Sequence, residues 1–182
     1  MVINVFKKAQ ELKLKTPDLI TRHVGRVMYD AIKKMFEAVR EGEIVVLDFG
    51  GIKVIDSSFI DEMLVRLIID SRTCERPFFI RLKNISEIAE INIDLVFRSY
   101  SNYKNKKIVV ITENICQNNA FFIGPLSDRE RDILAYLRVN KSITVDDVAA
   151  FTGRPAGEAR KIMDGLYALR LARYLDGVFC SV

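Results

Sequence analysis

The spacing of apolar residues changes several times along the first part of the chain. Val2–Phe6 and Glu11–Lys15 are short strand candidates. From Thr21 to Arg40, the residues Val24, Val27, Met28, Ala31, Ile32, Met35, Phe36 and Val39 recur at three- and four-residue spacing. That period predicts a helix, and Gly42 stops it. Glu43–Phe49 is a continuous apolar run rich in β-branched residues, the pattern of a central strand buried on both faces. A helix follows from Ser57 to about Asp70, with Phe59, Ile60, Met63, Leu64, Leu67 and Ile68 inward. Phe78–Leu82 reads as a strand, and Ser86 to about Tyr100 as a helix carrying Ile88, Ile91, Ile93, Leu95, Val96 and Phe97. Lys107–Thr112 is another strand. Strands separated by helices of this length imply a sheet covered by helices through crossover connections.

The rhythm changes after Leu126. Ser127 with Glu130 forms a Ser-x-x-Glu capping box ahead of Ile133, Leu134 and Leu137. Thr144 with Asp147 opens a second helix, which Gly153 ends. Arg154-Pro155 starts a third, with Pro in the first turn, where no N–H is needed. Ala159, Ile162, Leu166 and Leu169 are its expected buried positions. Leu171–Leu175, Asp176-Gly177 and Val178–Val182 then read as a β-hairpin. Between the two rhythms lie Asn114, Gln117, Asn118, Asn119 and Gly124-Pro125, a loop and turn signal. The division is therefore an α/β domain over residues 1–113, a linker over 114–126 and a small domain over 127–182. Phe121-Phe122-Ile123 is expected to pack between the domains or at a dimer contact.

Composition narrows the chemistry. The 182 residues carry 28 Lys and Arg against 24 Asp and Glu, a net charge of +4. The charge divides as +3 up to Leu126 and +1 beyond it, so neither part is strongly basic. The three cysteines, Cys74, Cys116 and Cys180, are scattered, and none neighbours the single histidine, His23. A structural zinc site needs four Cys or His ligands. No catalytic set based on His or Cys assembles from these residues. The expectation is a non-enzymatic protein with no cofactor and no metal. The apolar runs are too short for a membrane helix, and the N-terminus lacks a secretory signal. A cytoplasmic location with no membrane contact is expected.

Three short helices, a Gly turn between the second and third, and a closing hairpin describe a winged helix. Ala149, Gly153 and Ile162 fall where a helix-turn-helix needs close contact, a turn and a docking residue. In one reading the third helix enters the major groove of DNA, with Arg154, Glu158, Arg160 and Lys161 on its exposed N-terminal side. Arg173 and the Asp176-Gly177 wing would then touch the backbone. In the other reading these charges are a solvated face, and the winged helix contacts protein. A net charge of +1 is weak for DNA, because affinity there rests on phosphate neutralisation.

The most informative stretch of the first domain is Glu43–Leu67, EIVVLDFGGIKVIDSSFIDEMLVRL. Asp56 or Ser57 is a suitable N-cap, and Asp61 and Glu62 complement the helix dipole. Gly50-Gly51 lacks the Gly-Lys-Ser/Thr of a phosphate loop and reads as a tight turn. Lys104-Asn105-Lys106-Lys107 reads as a solvated turn. A strand, a turn and Asp-Ser-Ser ahead of a helix resemble the STAS domain of anti-sigma factor antagonists. The stretch is more similar still to the STAS-like family of unknown function. The matching residues are Asp48-Phe49, Phe59-Ile60-Asp61-Glu62, Arg22 and Asn84, over about residues 16–112. The resemblance to antagonists implies phosphorylation of a motif serine by a partner kinase, with Ser58 ahead of Ser57 as acceptor. Phe59 stands where the antagonist motif has glycine. The alternative is that both serines merely cap the helix.

Together these features predict an α/β STAS-like domain followed by a small winged-helix domain. The function expected is a cytoplasmic regulator, a protein-interaction domain coupled to a DNA-binding winged helix. The alternative is an adaptor of the anti-sigma-antagonist kind, whose winged helix contacts protein and whose serine is switched by phosphorylation. The partners expected are DNA, a kinase-like protein and a second copy in a homodimer.

Overall fold

The computed structural model describes residues 1–113 and 121–182. They divide into two compact units, Met1–Pro125 and Leu126–Val182. Seven helices and two main sheets are formed among the described residues.

In the first unit, strand β1 (Val2–Asn4) leads directly into helix α1 (Val5–Glu11). The strand expected over Val2–Phe6 is shorter, because the Asn4 side chain accepts from the Lys7 N–H and caps a helix there. Val5 and Ala9, four residues apart, are the buried face of α1. The strand candidate Glu11–Lys15 is corrected for the same reason. Glu11 ends the helix, Leu12 is its C-cap and Lys13 turns with φ 55°. Two residues of strand, β2 (Asp18–Leu19), precede α2 (Arg22–Phe36). Strands β3 (Ile44–Asp48) and β4 (Val54–Ile55) lead to α3, helical without a break from Ser57 to Thr73. Its middle, Ile60–Val65, is a π-helical turn. Strand β5 (Phe79–Lys83), helix α4 (Glu87–Lys104), and strands β6 (Val110–Thr112) and β7 (Phe122–Ile123) complete the unit.

The main sheet has the order β1-β3-β5-β6-β7. The first four strands are parallel, with Val2 opposite Val46, Ile44 opposite Phe79, and Arg81 opposite Ile111. Strand β7 runs antiparallel to β6 and makes the sheet mixed. Phe122 and Ile123, expected in the linker, are thus an edge strand, with Val110 opposite Ile123. They are buried apolar residues that complete the sheet rather than span a gap. Residues 114–120 of the expected linker, Cys116 among them, lie outside the described residues. Gly124 closes this strand with φ +116°, where a Cβ would fall 2.4 Å from the Ile108 carbonyl oxygen. Val45, Leu47, Ile80, Leu82 and Val110 from alternate strand positions pack with Met28, Ile32, Phe59, Met63, Ile93 and Phe97 into one core. The pair β2–β4 is a separate two-stranded parallel ribbon.

Helix α4 departs from its expected burial. Ala89, Ile93, Val96 and Phe97 face the core, whereas Ile88, Ile91 and Leu95 are exposed. Ile93, Val96 and Phe97 already supply one helical face at three- and four-residue spacing. The other three lie on a second face.

The second unit holds α5 (Asp128–Asn140), β8 (Ser142–Ile143), α6 (Val145–Thr152), α7 (Ala156–Ala168), β9 (Ala172–Leu175) and β10 (Val178–Ser181). Ser127 and Thr144 each make a reciprocal capping box, with Glu130 and Asp147. Gly153 takes the left-handed C-cap of α6 with φ 63°. Asp176 and Gly177, both at positive φ, turn the hairpin. Strand β8, which sequence spacing did not reveal, pairs with β10 and gives a three-stranded antiparallel sheet β8-β10-β9. On α7 the fully buried residues are Ala159, Met163 and Leu166; Ile162 and Leu169 are only half-buried. Among the described residues no helix is long and apolar enough to cross a membrane.

Candidate functional site

The starts of α2 and α3 are tied together by one carboxylate. Asp56 Oδ1 accepts from the Phe59 N–H at 2.7 Å and so caps α3, while Oδ2 accepts from the Thr21 N–H at 3.1 Å. Thr21 in turn accepts from the Val24 N–H and caps α2. Asp56 is therefore the N-cap that the sequence left open between Asp56 and Ser57. Neither serine caps: Ser57 is exposed and Ser58 half-buried in the first turn of α3.

Both serines line an open cleft of about 610 Å³ with Arg22, Asp56, Asp61, Asn92, Leu95, Tyr100 and Lys104 among its other walls. Asn92 is fixed by donating to the Ile55 carbonyl at 2.9 Å. At the floor, Arg22 Nη1 bridges Asp61 Oδ2 at 2.9 Å and Glu62 Oε1 at 2.5 Å. The Tyr100 hydroxyl donates to Asp61, and the Lys104 ammonium sits 3.8 Å from the Tyr100 ring centroid and 4.0 Å from Asp61. Lys104, expected in a merely solvated turn, is thus part of this wall. Burial pushes the Asp61 carboxyl up, but the hydrogen bonds from Tyr100 and Arg22 outweigh it and hold the group below the usual carboxylate range. Burial, reinforced by the neighbouring Asp61, raises the Tyr100 hydroxyl, which stays protonated and donating.

Glu62 is the deeper of the two acids, 8% exposed. The π turn that contains it has five of its six residues buried, which suits a segment packed between sheet and helices. Such turns recur at functional positions. Glu62 also accepts from Arg66 at 2.9 Å and lies 3.8 Å from Arg26. The Arg22 hydrogen bond lowers its pKa, against an upward push from burial. The network continues through Arg66, 3.8 Å over the Tyr29 ring, to the Tyr29 hydroxyl, Asp70 and Lys33. Asp61 and Glu62 do more than complement a helix dipole: they lock α2 to α3. Gly25 makes the approach possible, since a Cβ there would lie 3.0 Å from both the Phe59 carbonyl oxygen and Glu62 Cβ.

A second polar pair lies past the carboxyl ends of β3 and β5. Asp48 Oδ1 accepts from Asn84 Nδ2 and from the Gly50 N–H, each at 2.9 Å. Gly51, at φ +87°, completes the tight turn expected of Gly50-Gly51. The residues quoted for the resemblance thus form two contacts, Arg22 with Asp61 and Glu62, and Asp48 with Asn84. Sequence reasoning missed Tyr100, Asn92 and the role of Lys104 because their partners Asp61 and Ile55 lie far away in the chain; the Glu62–Arg66 pair is at i,i+4 spacing and was legible but not drawn. His23 is exposed on α2, and Cys74 and Cys180 are half-buried free thiols.

In the second unit Arg154, Glu158, Arg160 and Lys161 are exposed, on α7 and just before it. Arg154 pairs with Glu158 at 3.4 Å and Arg160 with Asp164 at 2.9 Å. The Arg160 guanidinium also lies 5.1 Å from the Tyr174 ring centroid on β9. Arg173, half-buried, donates from Nε to the Ser181 carbonyl at 3.2 Å. Four of the five expected nucleic-acid contacts are therefore engaged within the unit.

Comparison with protein families gives one finding: residues 24–70 match the model of a STAS-like domain of unknown function. The match contains Asp48-Phe49 and Phe59–Glu62, is narrower than the stretch of resemblance, and leaves Arg22 and Asn84 outside. No curated protein and no solved structure matches the chain.

Proposed function

We propose that the protein is a non-enzymatic regulator, in which a STAS-like domain that docks other proteins is joined to a winged helix that binds DNA. The observation that carries this reading is the chain order of residues 126–182. A helix, a short strand, two helices and a hairpin follow one another, with β8 completing a three-stranded sheet. That order leaves α7 with a long exposed side, including Arg160 and Lys161, with Arg154 exposed just before it. It also sets the hairpin beside α7, through Arg160 over Tyr174. In this reading α7 lies in the major groove and Arg173 near the wing meets phosphate.

Fluorescence anisotropy with labelled duplex DNA in a salt series tests it. Four phosphate contacts per copy, from Arg154, Arg160, Lys161 and Arg173, give a log affinity against log salt slope of about −3.6. Arg160→Ala with Lys161→Ala reduces that slope by about 2. Absence of salt-sensitive binding to every duplex tried, random-sequence pools included, would sink the reading.

A second reading is favoured by one arrangement, the placing of Ser57 and Ser58 in a cleft that also holds Arg22 and Lys104. A phosphate on Ser58 would add about two negative charges at the start of α3 and draw these cations away from Asp61. The protein would then act as a phosphorylation-switched adaptor. Intact-mass spectra of protein from its native cells that show no added phosphate would remove this version.

A further inference from the structure

We infer that the exposed face of α4 is the contact between two copies of this chain, packed with their α4 helices antiparallel. Ile88, Ile91 and Leu95 are 55, 45 and 61% exposed and follow one another at three- and four-residue spacing. Three large aliphatic side chains in one helical row, with the core served by a different face, make a surface that water solvates poorly. The next position of the same row is Arg98. Charge decides the occupant. The row starts beside Glu87, has Asp94 along its flank, and ends at Arg98. It is acidic at its N-terminal end and basic at its C-terminal end. A parallel copy would set like charges together. An antiparallel copy sets acid against base at both ends, which is the self-complementarity a two-fold interface requires. In the register that places Ile91 of one copy opposite Leu95 of the other, Arg98 falls opposite Ile88 of the copy. Its stem covers that residue, and its guanidinium is within reach of the adjoining Glu87. The Asp94–Arg98 pair within one chain, at 2.6 Å, steadies the guanidinium on that side of the row.

Sedimentation equilibrium of the full chain over a dilution series tests this without DNA, so the result is separate from that of the DNA reading. The expected result is a dimer that dissociates on dilution. Leu95→Asp gives monomer throughout, with an unchanged far-ultraviolet circular dichroism spectrum because the position is exposed. Glu87→Arg and Arg98→Glu each weaken the dimer when alone. Mixing the two variants in equal amounts restores it, since every contact between positions 87 and 98 is then of opposite sign. A parent chain that stays monomeric throughout, or a dimer indifferent to Leu95→Asp, overturns the interface. A mixture no tighter than its components overturns the antiparallel pairing.

Discussion

Replacing Gly25 by Ala should destabilise the first unit, although the residue sits inside a helix. By propensity alone the change stabilises, by about 1 kcal/mol, because Ala restricts the unfolded chain and suits the helix interior. The geometry opposes it. The new Cβ would lie 3.0 Å from the Phe59 carbonyl oxygen, 3.1 Å from Phe59 Cα and 3.0 Å from Glu62 Cβ. Two of these are backbone atoms of α3 that cannot turn aside, so the helices must separate. Overpacking of this kind costs about 1–3 kcal/mol. Separation also draws Arg22, one turn earlier, away from Asp61 and Glu62. The net expectation is a loss of about 1–2 kcal/mol. Gly165→Ala on α7 is the control, because no heavy atom lies within 4 Å of its Cβ position. It should stabilise the second unit by about 0.5–1 kcal/mol. Hydrogen exchange read by mass spectrometry in a urea series separates the two, reporting peptides of α2 and α3 apart from those of α7. A Gly25→Ala protein as stable as its parent in α2 and α3, with Gly165→Ala behaving as stated, would refute the tight crossing.

Two other changes follow from the same kind of accounting. Asp61 and Glu62 are held below their ordinary values of 3.8 and 4.5, so folding favours their ionised forms. Their stabilisation is complete above those values and is lost as pH falls through the lowered ones; Arg22→Gln should flatten this acid-side loss in a thermal-melt series, and an unchanged profile would contradict the bridge. Gly124→Ala combines a φ of +116° with a contact of 2.4 Å to a backbone oxygen. It should cost more than about 3 kcal/mol, and wild-type exchange protection in β6 and β7 would refute that.

What the sequence made legible was local. The crossover helices, the capping boxes at Ser127 and Thr144 and the Asp176-Gly177 turn are all written in residues a few positions apart. What it hid was set by partners distant in the chain. Val2–Phe6 and Glu11–Lys15 looked extended, but the Asn4 cap starts a helix at Val5 that runs to Glu11. Ile88, Ile91 and Leu95 could not be told from Ile93, Val96 and Phe97 by hydrophobicity, because both sets keep helical spacing and only the position of the sheet chooses between them. Tyr100 gave no signal and Lys104 only that of a solvated turn, since both acquire meaning only when α4 passes Asp61. The resemblance supplied part of what spacing could not, by singling out Arg22 and Glu62, forty residues apart, which the structure joins.

The ion pairs on α7 bear on the DNA reading less than their number suggests. Arg154–Glu158 and Arg160–Asp164 are exposed pairs at i,i+4 spacing, a kind that contributes little and is screened by salt. A phosphate that releases counterions competes well for either arginine. The acids themselves stay behind, beside the incoming phosphate. Their repulsion is the larger obstacle, and it is removable. If α7 faces a duplex, Glu158→Gln with Asp164→Asn should tighten binding by about tenfold at low salt, and by less as salt rises. The same anisotropy assay reads the change. If α7 instead docks onto protein, neutralising the acids adds only the nonspecific attraction of a net charge over residues 127–182 that rises from +1 to +3. A double variant that binds DNA no better than its parent at any salt concentration would place the nucleic-acid surface elsewhere.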